Sequence, residues 1–202
     1  MDPLRDVNDD LFLAANDFAR DTSWLHNAVV GFAKYGVLLF GLALLAGLLY
    51  SRRDDARSLA AAVWAGFGTL IAVGLNQPLG NAIHESRPYA VHPHALLLVS
   101  PTTDFSFPSD HAVMAGAVAA GLLIVSWRIG LIVAAAAAVM AFARVYVGAH
   151  YPADVVAGIA VGALVVGLGW LLLRQPLTVV ASRLRSSRLR PLLVQQPRDA
   201  PG

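Results

Sequence analysis

The 202-residue chain is 57% apolar and only 14% charged, with a formal net charge of +2. A soluble domain carries roughly 25% charged residues, so this balance excludes an ordinary soluble fold and points to a membrane protein. Cysteine is absent, which excludes disulfides, thiolate metal sites and a cysteine nucleophile.

From the start, Leu4 to Ala19 place Leu4, Val7, Leu11, Ala14, Ala15 and Phe18 on one helical face, with Asp6, Asp9, Asp10 and Asp17 mostly off it. This is the pattern of an amphipathic helix lying at an interface, too polar to span. The opening residues lack the basic-then-apolar order of a cleaved signal peptide.

Five apolar segments follow, each near the ~20 residues a bilayer requires. They run over 27–50, 59–77, 109–125, 129–146 and 153–173. Alanine runs (Ala134 to Ala138) and Gly158, Gly162 and Gly167 predict close helix packing in lipid. The predicted fold is all-α: a polytopic membrane helix bundle of about five transmembrane helices with an N-terminal amphipathic helix. The corresponding divisions are 1–24 for the interfacial helix, 25–175 for the membrane domain and 176–202 for a basic tail.

One connection is long, from about Pro78 to Pro108, and long loops in compact proteins usually carry function. The other connections are short. Arg52, Arg53, Arg57, Arg128 and the tail arginines Arg174, Arg183, Arg185, Arg188, Arg190 and Arg198 share one side if there are five spans. The positive-inside rule makes that side cytoplasmic. The tail reads as an anchor to an anionic membrane surface; no nucleic acid is expected as a partner. The long loop and the turn 148–152 then face the extracytoplasmic side of the cell membrane.

Those two connections hold three polar clusters. Arg87 precedes Pro88 in the long loop. Pro108-Ser109-Asp110-His111 reads as a helix start, with Ser109 at the N-cap and unpaired backbone N–H groups suited to phosphate. Arg144, His150 and Asp154 follow as Arg-x5-His-x3-Asp. Guanidinium forks match phosphate oxygens, and imidazoles serve as nucleophile or proton donor. Spacing of four brings Asp154 to the His150 ring, where a carboxylate holds one nitrogen and leaves the other free. Each piece also has a plainer reading: an ordinary cap at Ser109, dipole complementarity at Asp154, and snorkelling at Arg144. His84 and Glu85 lie near Arg87 and are candidate pocket residues, as is Asp110. His92 and His94 read as solvated loop histidines, and Lys34 as a snorkelling lysine within the first span. No metal site and no cofactor are expected.

The ordered trio resembles the type 2 phosphatidic acid phosphatase superfamily, whose motifs are Lys-x6-Arg-Pro, Pro-Ser-Gly-His and Ser-Arg-x5-His-x3-Asp. The resemblance covers about residues 60 to 170 and is strongest to the bacterial undecaprenyl-diphosphate phosphatase branch. Three positions depart from the pattern: Gly80 stands for the lysine, Asp110 for the glycine and Ala143 for the serine. The resemblance implies a metal-independent phosphatase acting on a lipid phosphate in the membrane. It implies His150 as nucleophile through a phosphohistidine, Asp154 as its orienting carboxylate and His111 as proton donor to the leaving group. Arg87, Arg144 and Ser109 are implied as the phosphate-binding set. The expected substrate is a polyprenyl diphosphate of the undecaprenyl or decaprenyl type, in recycling of the cell-wall carrier. The alternatives are another lipid phosphate or a non-catalytic lipid-binding relative.

Overall fold

The computed structural model describes residues 3–187. Among them there are helices and no strand. Helix α1 covers Pro3–Asp21, and a short 3₁₀ turn, Ser23–Leu25, leads into α2, His26–Ser51. Helix α3 covers Ala56–Ile83, α4 Pro88–Val91, α5 Asp110–Val125, α6 Trp127–Tyr146 and α7 Pro152–Arg185.

Four segments, Ser23–Ser51, Ala56–Val91, Trp127–Tyr146 and Pro152–Arg185, are long and apolar enough to cross a membrane. The expected third span, α5, is only 16 residues long, about 24 Å at the α-helical rise. It sits at the centre of the bundle, packed most heavily against α7, α6 and α3. Its small residues permit this. A Cβ on Gly116 would lie 2.7 Å from the Ile159 Cα, and one on Gly158 would lie 2.8 Å from the Ser109 carbonyl oxygen. Backbone-to-backbone approach of α5 and α7 therefore depends on glycine, as van der Waals association in lipid requires.

Two helices run past their expected ends. Helix α3 continues through Pro78 to Ile83, so the long connection begins at His84. Proline removes one donor without forcing a stop when neighbouring packing holds the helix. The helix ends instead at His84, which takes a left-handed conformation (φ 59°) and whose N–H bonds to the Gly80 carbonyl at 3.0 Å. At its start, the Asp55 carboxylate caps the Ser58 N–H at 2.7 Å. Helix α7 likewise passes Pro176 to Arg185, so residues 176–185 of the stretch read as a tail are helical. Arg185 reaches back to the Asp55 carbonyl at 3.0 Å, placing that helix end beside the α2–α3 turn. Arg188, Arg190 and Arg198 lie outside the described residues.

At the opposite end, the connections are tied to one another. Leu98 N–H bonds to the Val147 carbonyl at 3.0 Å and Ser109 N–H to the Asp154 carbonyl at 3.1 Å. Helix α1 belongs to this end and docks on the bundle by a face other than its apolar stripe. Phe12, Asn16 and Ala19 are buried, while Leu4, Val7, Leu11 and Phe18 stay exposed. Asn16 decides the face, because its amide pairs with both the N–H and the carbonyl of Leu96, each at 2.8 Å. Phe12 stacks on His92 and meets Tyr151 edge-on, with centroids 5.8 and 5.4 Å apart. His92 is thus packed and 3.4 Å from Asp9 rather than simply solvated.

Candidate active site

The α6–α7 turn brings His150 to the centre of the site. Val147 and Gly148 N–H groups bond back to Ala143 and Val145 as α6 unwinds. Gly148 takes φ 78° where a Cβ would run into the Leu96 carbonyl, so only glycine fits. His150 is buried, with Nδ1 2.9 Å from the Ser106 carbonyl oxygen. A carbonyl can only accept, so Nδ1 carries the proton and Nε2 presents its lone pair. That lone pair accepts from Arg87 Nη1 at 3.1 Å.

Asp154 lies farther from the ring than the spacing argument expects, with Oδ2 3.4 Å from Nδ1. The reason is local. Tyr151 is the N-cap of α7, so His150 precedes the helix and shares no helical face with Asp154. The carboxylate accepts from the Tyr151 N–H at 2.8 Å and from the Ser106 hydroxyl. Ser106, fully buried, is the residue that sequence reasoning missed: its carbonyl orients the imidazole and its hydroxyl engages Asp154. No motif spacing signalled it, although it stands two residues before Pro108.

A cavity of about 120 Å³ is lined by both Arg87 and His150. Its charged and imidazole lining comes from Arg87, Asp104, Asp110, His111, Arg144 and His150, with hydroxyls from Tyr89, Ser100 and Thr102. Arg87 is the N-cap of the short α4 and is 8% exposed. It donates to the Ala149 carbonyl at 3.0 Å, to the Asp104 carbonyl at 3.2 Å and to the Asp104 carboxylate at 2.9 Å. Arg144 is much less engaged. Its only hydrogen bond among the described residues is a long one, 3.5 Å, to the Ala33 carbonyl, and its Nε is buried without a partner. His111, in the first turn of α5, makes no hydrogen bond to the described residues and faces the same cavity. Unspent buried donors beside an imidazole lone pair form a receptacle for a multivalent anion.

Asp110 is held by Asn76 Nδ2 at 2.6 Å and by Gln77 Nε2 at 2.9 Å. These carboxamides project from α3 one turn before Gly80, the position without the motif lysine. Both Gly80 and Asp110 line a smaller recess next to the main cavity.

The other candidates stand behind the wall. Ser109 occupies the N-cap of α5, but its hydroxyl makes no capping bond and is buried without a partner, off the cavity. His84 packs edge-on against Phe105 at 4.6 Å. Glu85 offers its carbonyl to Ser106 N–H at 2.9 Å, and neither Glu85 nor His84 lines the cavity. Lys34 is exposed on α2, over the Tyr35 ring. Among the described residues, no three histidine or carboxylate groups converge to hold a metal.

Among the groups in the connections, His150 and Asp104 have shifted protonation equilibria. Burial holds the His150 imidazole below its ordinary value; the contacts with Asp154 oppose this and the guanidiniums of Arg144 and Arg87 reinforce it. At Asp104, partial burial pushes the carboxyl upward, but the Thr102 hydrogen bond and the Arg87 charge outweigh it and hold it below its ordinary range.

A membrane helix bundle that directs two guanidiniums and two imidazoles into one cavity defines a class of protein, the membrane-embedded phosphatases. The chain belongs to the PAP2 superfamily, whose sequence model matches residues 61–177. It is 28% identical to the undecaprenyl-diphosphatase BcrC of Bacillus subtilis over 161 residues, 80% of this chain and 81% of that one. It is 34% identical to the undecaprenyl-diphosphatase of Sulfolobus acidocaldarius over 143 residues, 68% of this chain and 66% of the relative. The fold matches the crystal structure of a transmembrane PAP2 type phosphatidylglycerolphosphate phosphatase from Bacillus subtilis with a TM-score of 0.61. That match has 19% identity and covers 93% of this chain and 90% of the other.

Proposed function

We propose that this membrane phosphatase hydrolyses a polyprenyl diphosphate, of undecaprenyl or decaprenyl type, to the monophosphate, and so serves recycling of the lipid carrier of cell-wall synthesis. The observation that carries the reading is the His150 tautomer: Nδ1–H is spent on the Ser106 carbonyl, which leaves the Nε2 lone pair to meet Arg87 at a cavity both residues line. Nε2 attacks the terminal phosphorus, and the bond from phosphorus to the bridging oxygen breaks. His111 gives its proton to that oxygen, releasing the lipid monophosphate. Water then attacks the phosphohistidine, His111 takes a proton from it, and inorganic phosphate leaves as Nε2 regains its lone pair. Arg87 and Arg144 stabilise the charge on the equatorial oxygens throughout, a role of electrostatic preorganisation.

Identity to undecaprenyl-diphosphatases along most of the chain favours a diphosphate over a monoester. The test is phosphate release by the purified, detergent-solubilised protein in EDTA. The panel comprises a polyprenyl diphosphate, phosphatidylglycerophosphate, phosphatidic acid and a polyprenyl-phosphosugar. The diphosphate should give the highest kcat/KM, with no loss in EDTA, because two guanidiniums supply the charge that metal ions supply elsewhere. A higher kcat/KM on any other lipid reassigns the substrate, activity only with added Mg²⁺ removes the metal-free mechanism, and release from none favours a lipid-binding role.

The site-bearing end is proposed to face the extracytoplasmic side of the cell membrane, with α1 in the interface and its exposed Leu4, Val7, Leu11 and Phe18 stripe toward lipid. A cysteine at the exposed position His94 should react with an impermeant reagent in intact cells, and a reporter after Arg198 should behave as cytoplasmic. The reverse pair of outcomes would invert the orientation and move the substrate pool to the inner leaflet.

A further inference from the structure

We infer that Asp104 is a built-in competitor for the substrate's phosphate: its carboxylate occupies the fork of Arg87 and turns into solvent when phosphate binds. The inference rests on the reading of Arg87 and His150 as phosphate-handling groups. Arg87 meets Asp104 twice, through Nη2 to the carboxylate at 2.9 Å and through Nε to the backbone carbonyl at 3.2 Å. With Nη1 shared between Ala149 and His150, the guanidinium is nearly saturated by protein, while Arg144 across the cavity keeps donors unspent. An anion already sits where the fork would grip a phosphate oxygen. The same guanidinium holds the His150 lone pair, so a phosphate that draws Arg87 onto itself also frees the nucleophile.

The surroundings let the carboxylate move while its backbone stays. The Tyr89 hydroxyl donates to the Thr102 carbonyl and accepts from the Thr102 N–H, each at 3.0 Å. On the other flank, Ser106 N–H bonds to the Glu85 carbonyl at 2.9 Å and its hydroxyl to Asp154. Asp104 lies between these anchors, and its side chain is 51% exposed, so rotation about Cα–Cβ delivers the carboxylate to water. Arg87 does not need that carboxylate to stay in place, because two backbone carbonyls still hold Nε and Nη1.

A positioning role and a competing role predict opposite signs. An ion pair this exposed is worth up to about fivefold in affinity. Inorganic phosphate should therefore bind Asp104→Asn about three- to fivefold more tightly than wild type, by titration calorimetry on the full chain in detergent. KM for polyprenyl diphosphate should fall by a similar factor. Asp104→Glu, which keeps the charge, should stay within about twofold of wild type. Asp104→Ala replaces the asparagine variant if that protein melts early, with the same expected gain. Affinity unchanged or weaker in the neutral variants overturns the proposal, and so does a glutamate variant that tightens as asparagine does. If wild type turns over no lipid phosphate, the functional reading fails on its own, while the phosphate titration still decides the role of Asp104.

Discussion

His150→Ala is expected to abolish turnover in otherwise folded protein. Among the described residues on the wall, His111 is the only other imidazole, and the hydroxyls of Tyr89, Ser100 and Thr102 are far weaker nucleophiles at neutral pH than an imidazole lone pair. Loss of a general acid or base lowers rate by about 10²–10⁴, and loss of the nucleophile itself removes the covalent route and should exceed that. Labelled substrate should leave an acid-labile phosphoryl group on wild type and none on the variant. The pH dependence follows from the same residue. Burial depresses the His150 pKa from its ordinary 6.5, so the neutral, attacking form persists to lower pH than a free imidazole would allow. Activity is therefore retained above the depressed pKa and lost as pH falls through it, placing the acid limb of kcat/KM below pH 6.5. Phosphate release by a clean His150→Ala preparation at near-normal rate would remove this mechanism, and an acid limb well above 6.5 would remove the protonation argument.

Arg144→Met should separate activity from stability. An arginine that stabilises a phosphoryl-transfer transition state is worth about 10³–10⁵ in rate, and kcat/KM on polyprenyl diphosphate should drop by about 10³ on that scale. The melting temperature should hold steady or rise. Arg144 has a partnerless buried Nε and one long bond to Ala33, so its charge is buried with little hydrogen-bond compensation, and an apolar side chain of similar volume removes that penalty. A structural arginine would behave the opposite way, with stability lost first. Activity within about tenfold of wild type would show that Arg144 snorkels and does not clamp phosphate.

The membrane class was legible in the linear chain, and Arg87, His111 and His150, which the fold brings to one cavity, could be picked out there because each stands in a local pattern. Hydropathy over ~20 residues marks a span whatever it packs against, and Arg-x5-His-x3-Asp is a spacing within one turn and its flanks. Where local rules met tertiary packing, they gave way. Pro78 reads as a helix end, yet α3 runs on to Ile83 because the bundle holds it. The apolar stripe of α1 reads as an interfacial face, but nothing local shows which opposite face docks; Asn16 selects it by pairing with the Leu96 backbone some eighty positions away.

The site divides in the same way. Residue types chosen for phosphate chemistry announce themselves, but the groups that orient them do not, since any buried carbonyl can do that work. The His150 tautomer is set by the Ser106 main chain, and Arg87 is engaged by Asp104 from a loop seventeen residues on. Ser109, His84 and Glu85 sit near the motif residues in sequence but stand behind the cavity wall. Sequence alone determined the membrane class and which polar clusters stand at the ends of the apolar segments. Only the folding of the 84–109 connection over the α6–α7 turn decided which ring nitrogen of His150 keeps its lone pair, because a hydrogen bond depends on distance and direction in space, and neither is set by separation along the chain.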